Sequence, residues 1–236
     1  MRPGARIGLY YAPAIDDPLW QRGVEWLGRD PGSNLPCRQP PLPNINAVTA
    51  EARGYGFHAT LKPPMRLAAD TTWDMLLGEV QDLAASIPAF DLPPLAVRPL
   101  DGFLALRESE PSPALQALAD AVTAGLERFR SPPGEAELAR RRSAGLTPAQ
   151  DANLVRWGYP YVFATWLFHM TLTRRLSEAE AVLYRPAAEA WFADVLGLPR
   201  RVAELCVFVQ ADAGAPFTLA KRIALQTDEP APPRRR

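Results

Sequence analysis

The chain of 236 residues holds two histidines, and both stand in the same frame. One is His58 in Phe57-His58-Ala59-Thr60-Leu61, the other His169 in Phe168-His169-Met170-Thr171-Leu172, 111 residues further on. Imidazole, with a reference pKa near ~6.5, takes or gives a proton around neutrality. Two imidazoles on opposite sides of a phosphorus can divide the base and acid roles of an in-line displacement on a phosphodiester. A threonine hydroxyl two residues along can donate to a non-bridging phosphate oxygen. That scheme requires no metal and no cofactor, and two histidines without a clear third or fourth ligand leave zinc coordination incomplete.

Read as strands, the two motifs point their side chains alternately to opposite faces. Phe57, Ala59 and Leu61 then enter a core, as do Phe168, Met170 and Leu172, while His and Thr share the open face about 7 Å apart. The same parity adds Lys62 to the His58 face, where its ammonium can meet an anionic substrate, and Arg175 rather than Arg174 to the His169 face. The candidate site is therefore His58 and His169 as catalytic groups, with Thr60, Thr171, Lys62 and Arg175 on the substrate. Blander readings stand beside these. Either threonine alone is an ordinary strand residue, and Lys62 can equally be a solvated strand end. Arg140-Arg141-Arg142 reads as one solvated helix face, and the aromatic run Trp157, Tyr159, Tyr161, Phe163 and Trp166 reads as core.

The elements that must carry these residues follow from local signals. A strand over 7–12, closed by Pro13, precedes a helix over 18–28 that Gly28 ends. Residues 29–46, rich in Pro, Gly and Asn, read as irregular. The first His strand is expected near 55–62, stopped by Pro63-Pro64. A helix capped by Thr71 or Thr72 runs to about 87, strands follow near 95–98 and 102–107, and Ser112-Pro113 opens a helix to about 130. Residues 131–158 read as a helical hairpin, Glu135–Ala144 and then a helix restarted by Thr147-Pro148 and ended by Gly158. The second His strand lies within 161–173. Ser177 then caps a helix to about 196, before strands near 203–210 and 217–225. His58 to Phe103 spans 45 residues and His169 to Phe217 spans 48, which suggests a duplicated α+β lobe. The expected division is an N-terminal lobe over 1–130, a helical insertion over 131–158, a C-terminal lobe over 159–227 and a disordered tail over 228–236.

The 26 basic and 26 acidic residues cancel, so no global field draws the chain to nucleic acid or to a membrane surface. No apolar stretch approaches the roughly 20 residues of a spanning helix, and no signal-peptide pattern opens the chain. Cys37 and Cys206 suggest one surface and one buried thiol rather than a disulfide framework. The expected location is the cytoplasm, with oligomeric state left open.

The two His-x-Thr motifs resemble those of the two-histidine (2H) phosphoesterase superfamily, which includes RNA 2′,3′-cyclic phosphodiesterases and 2′-5′ RNA ligase-like proteins. The longer stretches Tyr55-Gly56-Phe57-His58-Ala59-Thr60-Leu61-Lys62-Pro63-Pro64 and Gly158-Tyr159-Pro160-Tyr161 through Thr173 are similar to the bacterial branch associated with phosphonate metabolism, as are Tyr10-Tyr11-Ala12-Pro13 and Trp26-Leu27-Gly28-Arg29-Asp30. The resemblance implies a bilobal α+β fold, with two antiparallel-rich sheets around a central cleft, helices outside and a pseudo-two-fold axis. It implies metal-independent hydrolysis of a small cyclic phosphodiester, with His58 and His169 as acid and base and Thr60 and Thr171 on the phosphate. The expected partner is a small anionic phosphoester, with no membrane. Two alternatives stay open: an enzyme acting on RNA 2′,3′-cyclic ends or 2′-5′ linkages, which zero net charge does not favour, and a non-catalytic phosphate-ligand-binding accessory protein.

Overall fold

A computed structural model describes residues 4–143 and 145–226; the tail at 228–236 lies outside the described residues. The elements run β1 (Arg6–Tyr11), α1 (Pro18–Leu27), α2 (Ile45–Val48), α3 (Ala50–Tyr55), β2 (Ala59–Met65), α4 (Trp73–Ala85), β3 (Phe90–Leu92), β4 (Leu95–Leu100), β5 (Phe103–Glu108), α5 (Pro113–Gly125), α6 (Glu135–Arg142), α7 (Pro148–Trp157), β6 (Met170–Thr171), α8 (Glu178–Leu196), β7 (Arg200–Val202), β8 (Glu204–Gln210) and β9 (Thr218–Ala224). Side-chain caps start the principal helices where the sequence places them. The hydroxyls of Thr72, Ser112, Thr147 and Ser177 each accept a backbone N–H of the first helical turn, the last two in reciprocal capping boxes with Gln150 and Glu180. Gly28 and Gly158 end α1 and α7 in left-handed conformation.

The fold is α+β with antiparallel strands. Seven of them form one sheet in the order β4-β5-β6-β2-β1-β8-β9, and β3 pairs with β7 in a second sheet of two strands. The two motif strands are therefore immediate neighbours, joined at Ala59↔Met170. Around that pair the order is symmetric: β6, β5 and β4 on one side answer β2, β1 and β8 on the other. The repeating unit is strand, helix, motif strand, helix, strand, and the second copy begins at β5. The turn between the copies is Asp101-Gly102, both with positive φ, the two-residue hairpin geometry. The 45- and 48-residue spacings set the phase one strand and one helix too late, because Phe103 opens β5, the counterpart of β1, whereas Phe217 precedes β9, which has no counterpart in the first copy. Residues 131–158, with α6 and α7, join α5 to β6 inside the second copy, just as 28–58 join α1 to β2 inside the first. Each copy's last strand pairs with the other copy's first, β4 with β5 and β8 with β1.

Helices bind the copies further. Thr123 on α5 donates to the carbonyl of Leu61, and Trp26 on α1 donates to that of Leu172, the equivalent residue. Phe57, Ala59, Leu61, Phe168, Met170 and Leu172 are all at most 1% exposed, as strand alternation predicts.

Two expectations about β2 fail for physical reasons. The strand continues through Pro63 and Pro64 to Met65, because beyond its first residues only β1 pairs with it. An open edge tolerates residues without an N–H. Lys62 does not join the His58 face. Tyr10 pairs with Thr60 but Leu9 pairs with Lys62, so β2 carries one extra residue there, a bulge that reverses the alternation. Lys62 is buried instead, its Nζ donating to the Thr123 carbonyl and to Glu127 Oε2, each at 2.9 Å. Arg130 holds the other side of the same carboxylate. Lys62→Met should therefore lower stability by about 2–3 kcal/mol, since it strands a partly buried carboxylate that keeps one partner. Thermal unfolding reads that loss; ligand affinity of the folded variant should not move.

Candidate active site

Each catalytic candidate is held by its own chain in the same way. The α3 helix ends at Tyr55, and Gly56 reverses the backbone at φ +87°; a Cβ there would meet Pro31 at 2.9 Å. The Gly56 carbonyl then lies 2.9 Å from His58 Nδ1. In the second copy the Leu167 carbonyl lies 2.9 Å from His169 Nδ1. A carbonyl can only accept, so both imidazoles carry their neutral-state proton on Nδ1 and keep the lone pair on Nε2. His58 Nε2 is 3.2 Å from the Thr60 hydroxyl, which donates to it.

Antiparallel register brings the four motif residues into one group. Continuing from Ala59↔Met170 by one residue either way sets His58 opposite Thr171 and Thr60 opposite His169, with directly opposed Cβ atoms about 4.5–5.5 Å apart. Each histidine thus has its own strand's threonine on one side and its counterpart's across from it. All four are partly exposed between fully buried neighbours. A cavity of about 580 Å³ reaches His58, Thr60 and Thr171, and one of about 280 Å³ reaches His169. The two share Thr60, Phe103 and Arg175, so they are two sides of one cleft.

The remaining candidates separate. Arg175 borders both sides of the cleft and is exposed. Arg174 also reaches the His58 side, but Glu180 takes its guanidinium at 2.7 Å. Lys62, buried beneath α5, is absent from the cleft. Among the described residues no group of three or more His, Cys, Asp or Glu is placed to hold a metal ion, and no helix is long and apolar enough to cross a membrane.

Aromatic residues that sequence reasoning assigned elsewhere build the walls. Tyr10 stacks on His58 with centroids 3.8 Å apart and planes at 25°. Gly8 allows it: a Cβ at that position would lie 2.4 Å from the Tyr10 hydroxyl, so the ring can lie back along β1 only over a glycine. Phe103 sits 5.9 Å from the His169 ring. Tyr159 and Tyr161, expected in the core, border the His169 side. Trp166 lies in the core as expected, also reaches that side, and donates its Nε1 to the Thr60 carbonyl, clamping the first motif to the second. The legible signal was their position, an aromatic run leading directly into the second motif. Burial against these rings pushes His58 down to about 4, with His169 lowering it slightly further. Burial also lowers His169, helped by Arg107. Both imidazoles are therefore neutral in the free protein at pH 7.

Residues 60–218 match the model of a family described as "Protein of unknown function (DUF1045)". The chain is 41% identical over 227 residues to a ribose 1,5-bisphosphate phosphokinase PhnN of Janthinobacterium sp. (strain Marseille), covering 92% of this chain and 50% of that protein. It is 36% identical over 224 residues to the PhnN of Laribacter hongkongensis (strain HLHK9), covering 93% and 52%. The chain thus spans about half the length of these curated relatives. Among solved structures, a phosphoesterase superposes with a TM-score of 0.44 at 17% identity, over 94% of this chain and 99% of the other. E. coli LigT complexed with 3′-AMP does so with a TM-score of 0.44 at 17% identity, over 94% and 98%.

Resolved imidazole signals in an NMR pH titration should show His58 titrating near 4 and His169 below the ordinary value, both as Nδ1–H tautomers. Tyr10→Ala, which uncovers one ring face, should move His58 back toward ~6.5. A His58 midpoint at or above that value in the intact protein contradicts the buried, neutral imidazole.

Proposed function

We propose that this chain, which belongs to the DUF1045 family, is a metal-independent phosphoesterase that opens a small cyclic phosphodiester by acid–base catalysis between His58 and His169. The carrying observation is the Ala59↔Met170 pair, which sets two equivalent His-x-Thr motifs side by side with both Nε2 atoms left without a carbonyl partner. His58, the more strongly depressed of the two, serves as base: neutral above about 4, its Nε2 takes a proton from water as the water oxygen attacks phosphorus. His169, protonated, returns a proton to the alkoxide as the opposite phosphorus–oxygen bond breaks. Thr60 and Thr171 donate to the non-bridging oxygens, whose charge grows in the transition state. Arg175, at the mouth, neutralises the incoming anion.

The substrate class follows from the names of the relatives together with the motif branch. Ribosyl 5-phosphate 1,2-cyclic phosphate, hydrolysed at its O2–phosphorus bond, leaves ribose 1,5-bisphosphate, the compound in the name of the longer relatives. The present chain's two lysines, Lys62-Pro63 and Lys221-Arg222, stand outside any Gly-x-x-x-x-Gly-Lys-Ser/Thr phosphate loop. That supports a diester-opening role for this chain beside a kinase role elsewhere in its relatives, both within phosphonate metabolism in the cytoplasm.

With EDTA present, the wild type should turn over the ribosyl cyclic phosphate, and His58→Ala and His169→Ala should each lower kcat by about 10²–10⁴-fold. Thr60→Val and Thr171→Val should lower it by about 10²-fold. Activity surviving both histidine substitutions sinks the mechanism, and turnover of RNA cyclic ends in preference to the ribosyl compound overturns the substrate. The pH dependence has a defined sign. The base must be neutral, so kcat/KM rises through about 4; the acid must be protonated, so it falls again below the ordinary histidine value of ~6.5. The optimum of kcat/KM should lie on the acid side of neutrality, with the upper limb lost in His169→Ala.

A further inference from the structure

The cleft continues past Thr60 into a further cavity of about 220 Å³ that the hydrolytic scheme does not use. Thr60 forms part of its wall, so it opens directly off the catalytic group. Arg6 and Arg141 line it together with Tyr10, Tyr55 and Tyr159, and no described Asp or Glu borders it. Arg6, on β1, spends its Nε on Gln210 Oε1 at 2.6 Å and stacks over Phe217. Its two terminal nitrogens have no partner among the described residues. Arg141, on α6, gives Nε and one terminal nitrogen to Glu137 and lies over the Tyr159 ring at 5.1 Å, which leaves its second terminal nitrogen without a partner among the described residues. Tyr10 adds an independent sign. The residue borders this cavity, and its hydroxyl, buried over Gly8, has no hydrogen-bond partner among the described residues. Buried donors are nearly always satisfied, so an orphan at the edge of a cleft calls for a partner, and a ligand oxygen entering the cavity would supply one.

We infer that this Arg6–Arg141–Tyr10 cavity is a subsite for a second anionic group of the substrate, a terminal phosphomonoester held while its cyclic diester lies between the histidines. Guanidinium forks match phosphate oxygens geometrically, and a second anchor fixes the diester for in-line attack. The subsite rests on the proposed reaction for its meaning, and it gives the 131–158 segment a task, since α6 brings Arg141 over the cleft. Arg6 and Arg141 are binding residues for the second anionic group, and the Tyr10 hydroxyl is a positioning group whose ring also packs on His58.

The test separates the subsite from the reaction. Ribosyl 1,2-cyclic phosphate is offered with and without its 5-phosphate to the wild type, Arg6→Gln, Arg141→Gln and Tyr10→Phe. The wild type should prefer the 5-phosphorylated compound by 10²-fold or more in kcat/KM. Each arginine substitution should shrink that preference about tenfold, through KM more than kcat. Binding of ribose 5-phosphate, which has no diester to cleave, is measured by calorimetry in parallel and should weaken by similar factors. Tyr10→Phe keeps the stacked ring, so its thermal stability should be unchanged or higher while ribose 5-phosphate affinity falls. Equal loss on both substrates, or ribose 5-phosphate binding indifferent to all three changes, overturns the subsite even if turnover stands. Arginine-dependent ribose 5-phosphate binding without turnover of either diester supports the subsite and sinks the reaction.

Discussion

One backbone pairing governs this molecule. The Ala59↔Met170 contact between β2 and β6 is short, yet a slip of one residue would turn every histidine and threonine of one motif into the core and every phenylalanine and leucine out of it. Several devices hold that register from outside the pair. Trp166 reaches across to the Thr60 carbonyl, Trp26 to that of Leu172 and Thr123 to that of Leu61. The buried set Phe57, Phe168, Met170 and Leu172 makes any other register lose apolar burial. Precision at the cleft is thus delegated to two tryptophans and a helix packed around the motif strands.

The same packing that fixes geometry also sets chemistry. Tyr10 against His58 shields one ring face from water, which disfavours the imidazolium and keeps Nε2 available. The carbonyls of Gly56 and Leu167 settle the tautomers. An arriving phosphodiester anion would favour the protonated forms, so substrate charge and protein burial act on these rings in opposite senses. Gly8 is as necessary to this balance as any polar residue, since it alone lets Tyr10 lie where it does.

Much of this was legible in the sequence wherever a local rule applied. The caps at Thr72, Ser112, Thr147 and Ser177 and the stops at Gly28 and Gly158 needed only hydrogen-bond counting at helix ends. The alternation across Phe57–Leu61 and Phe168–Leu172 separated core from cleft. Non-local facts were hidden. No pattern in the chain announces the bulge that carries Lys62 under α5, because the extra residue is defined only against β1. The pairing of β4 with β5 and β8 with β1 decides where one copy ends and the next begins, and neither pairing is visible from the histidine spacing. Tyr10 and Arg6 come to the cleft from β1 and Arg141 from α6, far apart in the chain, so no single motif contains them. Arg175, by contrast, was reachable by counting along the second motif, and it does border the cleft.

The exchange of end strands between copies has a consequence for how the chain is made. β1 lies between β2 and β8, and Arg6 pairs with Gln210, 204 residues later. At ribosomal speeds of ~5–20 residues per second, roughly 10–40 s pass between the synthesis of these two partners. Throughout that interval the apolar strand Ile7–Tyr11 can have at most one of its two neighbours, its other edge an open template for any passing strand. The price of a cleft stitched together from both copies is a long apprenticeship during which the nascent chain must be kept from pairing elsewhere.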